Sequence, residues 1–151
     1  MQFYLLDTRL TAEKLMKEIL VVDDDKELLA LVKRILKHNG IAANCVESGE
    51  AALEQIKART FSLMITDFNM PGLDGLELSR KGKAIAPLMP IIMNTGAISA
   101  KIIREAAEIG IAEVLAKPFL AEELLETIRN VMGKQSFLFS AVQNLDSGTC
   151  L

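Results

Sequence analysis

Ile19-Leu20-Val21-Val22-Asp23-Asp24-Asp25 sets the pattern on which the rest of the chain is built. A short apolar run ends abruptly in acids. Beyond it Leu28, Leu31, Val32, Ile35 and Leu36 recur at helical spacing as far as Gly40, which serves as a helix stop. The same grammar returns three times. Leu63-Met64-Ile65-Thr66 closes on Asp67, Pro90-Ile91-Ile92-Met93-Asn94 on Thr95, and Glu113-Val114-Leu115-Ala116 on Lys117. In a parallel α/β sheet the strand C-termini open onto one edge, where ligands bind at a topological switch point. Three carboxylates, a hydroxyl and an ammonium would meet there, a set suited to a divalent metal and a phosphoryl group.

Working outward, residues 18–133 read as five strand–helix alternations. Strands are expected at about 18–23, 41–46, 62–67, 89–94 and 112–116. Helices are expected at about 25–38, from an N-cap at Ser48 through Ile56, at 74–84, at 99–109 and at 121–132. Gly82 weakens the third helix. The last is expected to bury Leu124, Leu125, Ile128, Val131 and Met132. This order predicts a doubly wound, five-stranded parallel sheet with helices on both faces and right-handed crossovers. The nearly continuous apolar strands suit burial on two sides. Residues 1–17 read as an N-terminal extension or linker, in which Thr11-Ala12-Glu13-Lys14 could cap a short helix. Residues 134–151 read as a C-terminal tail without a clear period, though Phe137-Leu138-Phe139 is apolar enough to dock on the domain or a second copy.

Bulk composition narrows the function classes. At 151 residues the chain suits one domain, with half its residues hydrophobic and a quarter charged. A formal charge of −3 argues against general nucleic-acid binding, which needs a basic patch. No run approaches the roughly 18 apolar residues of a membrane span, and no basic segment precedes an apolar signal core. A cytoplasmic location is therefore expected. Cys45 and Cys150 have no CxxC or histidine nearby and read as bystander thiols. His38, the single histidine, falls at a helix C-terminus, where a cation is favoured.

The chemistry follows from the residue types. Magnesium takes oxygen ligands in octahedral geometry and keeps several waters, so a few carboxylates suffice. Asp23 and Asp24 can supply a direct and a water-mediated ligand, and Asp67 can complete the site. Crowded carboxylates repel one another, and a divalent cation relieves that repulsion. Phosphoryl transfer depends mostly on positioning and charge neutralisation. If Asp67 attacks phosphorus, Lys117 can balance the acyl phosphate and Thr95 can donate its hydroxyl. Gly96 leaves room for the phosphoryl group to approach. Pro118 could hold a cis bond, which X–Pro sequences alone reach cheaply. Singly, these residues have plainer readings: Asp23-Asp24 as a helix N-terminal acidic pair, Thr95 as a strand-end residue, Lys117 as a solvated cation. Their joint occurrence favours a site. Gly72 and Gly75 form no GxGxxG and serve a loop rather than a dinucleotide.

With these residues in view, the chain resembles the receiver (response-regulator) domain of two-component signalling, most of all the single-domain chemotaxis type. The resemblance rests on Val21-Val22-Asp23-Asp24-Asp25, Asp67-Phe68-Asn69-Met70-Pro71-Gly72-Leu73-Asp74-Gly75, Asn94-Thr95-Gly96 and Lys117-Pro118-Phe119, in that order across roughly residues 18–133. It implies a flavodoxin-like sheet of order 2-1-3-4-5. It implies Asp67 as phosphoacceptor from a histidine kinase or phosphotransfer protein, and Asp23, Asp24, Asp67 and the Asn69 backbone carbonyl as the Mg2+ environment. Thr95 becomes the switch hydroxyl and Lys117 the phosphate-pairing lysine. Many members carry Tyr or Phe three residues before that lysine; here it is Val114, so an aromatic rotamer switch cannot operate. A downstream protein target is implied, reached through the face bearing Lys101, Arg104, Glu105 and Glu122. Neither nucleic acid nor membrane is expected as a direct partner, and the chain is expected as a monomer or weak dimer.

The expectation is thus a signalling switch that catalyses its own phosphorylation and slow dephosphorylation. The 18 residues after Gly133 are too few for a fused DNA-binding module. A stand-alone receiver and a receiver segment of a hybrid sensor kinase both stay open. An aspartyl-phosphate phosphohydrolase ranks lower, because Asn69 stands where such enzymes place a second acid. A receiver-like protein acting by interaction alone is disfavoured by the full acidic set.

Overall fold

The computed structural model describes residues 18–146, with side chains through residue 133. Its elements alternate as β1 (Ile19–Val22), α1 (Lys26–His38), β2 (Ala43–Val46), α2 (Gly49–Ala58), β3 (Leu63–Asp67), α3 (Gly75–Ile85), β4 (Ile91–Thr95), α4 (Ala100–Ile109), β5 (Glu113–Ala116) and α5 (Ala121–Asp146). All strand pairs are parallel, in the order β2-β1-β3-β4-β5. The expected doubly wound, flavodoxin-like sheet is therefore observed.

Strand alternation divides the core into two layers, because successive side chains leave on opposite faces. Leu20, Val22, Met64, Ile91 and Met93 pack with α2, α3 and α4. Ile19, Val21, Leu63, Ile65, Ile92 and Leu115 pack with α1 and α5 through Leu29, Val32, Leu36, Leu124, Ile128 and Val131. The central strands β1, β3 and β4 are buried throughout, whereas β2 and β5 lie at the sheet edges and are only partly covered. Each fully buried Leu, Ile or Met contributes about 1.5–3 kcal/mol over the exposed state.

Helix starts follow local chemistry. Asp25, Ser48, Asp74 and Ser99 each hold extended backbone and accept an N–H from the first turn, which satisfies an orphan donor. Gly110 ends α4 at φ 91°, the left-handed region that glycine enters without penalty.

Two sequence expectations need correction. The buried stripe of α1 is Leu29, Val32 and Leu36, while Leu31 is 47% exposed. Both stripes obey helical spacing, and the direction of packing against the sheet chose between them. Ile103 likewise turns outward from α4. The final helix does not stop near residue 132 but continues to Asp146, through a segment expected to be irregular. Gly133 costs a helix about 1 kcal/mol, too little to break one already nucleated. The missed signal is apolar residues at 137, 138, 141, 142 and 145, which do repeat at helical spacing. The Thr11–Lys14 cap, the docking of Phe137–Phe139 and Cys150 lie outside the described residues and side chains.

Candidate phosphoryl and metal site

The sheet order places β1 between β2 and β3, so the chain reverses its winding direction at the β1/β3 boundary. Both strands end there in an aspartate. Val22 and Thr66 are Cα partners, which sets Asp23 and Asp67 side by side one residue further along. By strand alternation both leave on the α1/α5 face, in line with Val21 and Ile65. They are 3% and 6% exposed.

The three consecutive acids divide their work. Asp25 is the N-cap of α1, accepting the N–H groups of Glu27 at 3.0 Å and Leu28 at 3.2 Å. Asp23 accepts the Asp25 N–H through Oδ1 at 2.9 Å and faces the site with Oδ2. Asp24 is exposed, and one of its oxygens lies within 4.8 Å of oxygens of Asp23 and Asp67.

Lys117 reaches this cluster from β5, across the end of β4. Its Nζ donates to Asp23 Oδ2 at 2.9 Å and lies 3.1 Å from Asp67 Oδ1. The Lys117–Pro118 peptide is cis, the form the X–Pro sequence allowed. One ammonium faces three carboxylates, and the excess of two negative charges is what a divalent cation neutralises. Burial pushes the Asp67 carboxyl above its ordinary range, and the charge of Asp23 adds to the rise. The Lys117 ammonium opposes that rise without cancelling it. Burial disfavours the charge on Lys117, but hydrogen bonds and attraction from Asp23 and Asp67 raise its pKa overall. Counter-charge therefore prevails at the lysine, whereas burial prevails at Asp67.

Thr95 ends β4, is buried, and accepts the Ala97 N–H through Oγ1 at 3.1 Å, which leaves its own proton to donate. A methyl at Gly96 would meet nothing within 4 Å, so the space beside Thr95 is open. Asn69 lies exposed in the loop between Asp67 and α3. That loop returns tightly, with Gly75 N–H bonded to Phe68 O at 2.9 Å. A Cβ on Gly75 would collide with the Asp67 carbonyl and lie 2.9 Å from the Phe68 Cα. Glycine is required there for α3 to start against the backbone of the central acid. The donor set, three carboxylates with one open to water, fits a hard divalent cation such as Mg2+.

Two residues of the site had no separate reading in the sequence. Gly75 looked like one more loop glycine, and only the close approach shows its role. Asn94 looked like part of an apolar strand. It is 4% exposed, it is the Cα partner of Asp67, and its Oδ1 has no hydrogen-bond partner among the described residues. A polar residue inside an otherwise apolar run was the available signal. Among the other expectations, His38 occupies the exposed last turn of α1. Cys45 lies half-buried on β2, its thiol pKa raised by burial. Val114 is partly buried on β5. Lys101, Arg104 and Glu122 are exposed and Glu105 is partly so, with Lys101 and Glu105 4.0 Å apart. No helix among the described residues is long and apolar enough to cross a membrane.

The chain is 29% identical over 127 residues to the transcriptional regulatory protein TctD of Salmonella typhimurium, which covers 84% of the chain and 57% of TctD. It is 31% identical over 117 residues to the response regulator receiver protein CpdR of Brucella abortus, covering 78% of the chain and 98% of CpdR. The chain thus spans little more than half of the first relative and nearly all of the second. The crystal structure of a CheY-like response regulator receiver domain protein from Methanospirillum hungatei superposes with a TM-score of 0.77 at 31% identity. That match covers 80% of this chain and 96% of the other. Residues 19–129 match the response regulator receiver domain family, and the chain belongs to it as a signalling module of two-component systems.

Proposed function

We propose that Asp67 accepts a phosphoryl group from the phosphohistidine of a sensor histidine kinase or phosphotransfer protein, and that the modified domain changes its affinity for a downstream protein. The observation that carries this reading is Lys117 Nζ held between Asp23 and Asp67, at 2.9 and 3.1 Å, beside a third carboxylate. An Asp67 carboxylate oxygen attacks phosphorus as the P–N bond breaks. The bonding pair returns to the imidazole, and an acyl phosphate forms on Asp67. Lys117 then exchanges its carboxylate partner for a phosphoryl oxygen, and the Thr95 hydroxyl donates to another. Asp23, Asp24, Asp67 and the Asn69 main-chain carbonyl would hold Mg2+, which when bound neutralises charge on the phosphoryl oxygens. The exposed edge at Asp24 admits water, which supports slow self-dephosphorylation. Asn69 in place of a second acid leaves no side-chain base for turnover on phosphate esters.

We take residues 18–133 as the receiver unit, cytoplasmic and monomeric or weakly dimeric, with the face bearing Lys101, Arg104 and Glu122 meeting the target. Val114 in place of an aromatic residue means that the signal leaves by a route other than an aromatic rotamer. A receiver segment of a hybrid kinase would use the same chemistry.

Incubation with acetyl phosphate and Mg2+ is expected to add the mass of one phosphoryl group, and Asp67→Asn is expected to abolish the adduct. An adduct that persists in Asp67→Asn, or none in the wild type, would sink the reading.

A further inference from the structure

The loop from Phe68 to Asp74 joins the acceptor aspartate to α3 and carries Asn69. Two of its anchors lie within its own neighbourhood: the Gly75–Phe68 hydrogen bond, and Met70 and Leu73 buried in the core. Two more come from distant parts of the chain, the first being the Phe68 N–H donated to the Asn94 carbonyl at 2.9 Å. Glu50, in the first turn of α2, accepts the Leu73 N–H through Oε1 at 3.2 Å, across 23 positions of sequence.

The two segments meet closely: the α2 side has no room for a side chain at Gly49, and on the loop side the near neighbour of Gly72 is the Glu50 carboxylate itself. A Cβ on Gly72 would lie 2.9 Å from Glu50 Oε1, and Gly72 also holds φ +76°. A Cβ on Gly49 would lie 2.9 Å from the Leu73 Cβ and 3.1 Å from its carbonyl oxygen. A plain first-turn acid offsets the helix dipole from any orientation. This carboxylate instead takes a main-chain N–H of the loop that follows the acceptor.

We propose that Glu50 is a positioning residue for the metal and phosphoryl site, a latch that holds the Asp67–Gly75 loop in its ligating shape. The inference rests on the function proposed above, which assigns the Asn69 carbonyl to the metal. A loop released from Glu50 spends less time in the competent shape, and apparent affinity falls with that fraction. Groups that orient metal ligands commonly change affinity by an order of magnitude or more.

The test is Mg2+ titration of the full chain by amide NMR, for wild type, Glu50→Ala and Glu50→Gln, with hydrogen exchange of the Leu73 amide and a melting curve for each. Glu50→Ala is expected to weaken Mg2+ binding by roughly 3–10-fold and to speed Leu73 exchange. Glu50→Gln keeps a carbonyl acceptor and is expected to stay within about twofold of wild type on both readouts. A merely structural or dipole role would lower the melting temperature of both variants and leave Mg2+ affinity unchanged, which overturns the latch. Wild-type chain that takes up no Mg2+ overturns the phosphoacceptor reading as well. Wild type that binds Mg2+ while Glu50→Ala binds equally overturns the latch alone.

Discussion

The middle of the central strands and their C-terminal edge, a few ångströms apart, are built on opposite principles. In the middle, Ile19–Val22, Leu63–Ile65 and Ile91–Met93 are apolar and buried on both faces, so every side chain adds to stability. At the edge, Asp23, Asp67, Asn94 and Thr95 are as deeply buried but polar, with surplus negative charge and an amide oxygen that has no partner among the described residues. Burying such groups costs free energy unless partners compensate fully, and here they do not. The site is therefore where the fold gives up stability, and the layers beneath it supply the margin.

Three substitutions test this contrast. The largest effect is expected in the middle. Leu63 is 0% exposed, and Leu63→Ala should destabilise the domain by about 2–5 kcal/mol, read by denaturant unfolding. A cost below about 1 kcal/mol would mean the middle is not the source of stability.

At the edge the sign reverses. Asp67→Asn, measured without Mg2+ at neutral pH, should raise the melting temperature by roughly 2–6 °C. The folded-state pKa of Asp67 is raised. Its contribution is therefore fully present below the unfolded value near 3.8 and is lost as pH rises through the raised value. The advantage of the Asn variant should shrink as pH falls through that window, because a protonated aspartate resembles asparagine. An advantage that stays constant with pH would show that charge is not the cause.

The smallest effect separates the two principles within one helix. At the site end of α3, Gly75 cannot accept a Cβ without displacing the backbone of Asp67 and Phe68. Gly82, further along, faces Ile56, Met64 and Met89 at 3.5–3.9 Å, ordinary contact distances for an added methyl. Gly82→Ala should therefore stabilise by about 0.5–1 kcal/mol through helix propensity. Destabilisation instead would show that the core around Gly82 is packed as tightly as the site.

Much of this was legible in the residues. The five strands and the helical spacing between them, with Ser48 at a helix start and Gly40 just past a helix end, describe local preferences that tertiary packing did not override. Asp23, Asp24, Asp67 and Lys117 were legible as a site because each ends a strand, and a parallel sheet brings strand ends to one edge. Less legible were features that depend on distance. Leu31 and Leu29 both fit a helical stripe on α1, and only contact with the sheet distinguishes them. Glu50 and Gly75 look ordinary in sequence, since the partners that give them meaning are Leu73 and the backbone of Asp67 and Phe68.

Element order, the parallel sheet and the identity of the charged groups at its edge follow from the residues alone, because periodicity and strand-end position are local properties. How those groups share their charge is set by the folded arrangement. Lys117 could have been solvated, and Asp23-Asp24-Asp25 could have been three equivalent acids. Register between β1 and β3, and the reach of Lys117 across β4, made one acid a cap, one a buried ion-pair partner and one an exposed neighbour. Electrostatic roles are set by distance and burial, and both belong to the folded chain.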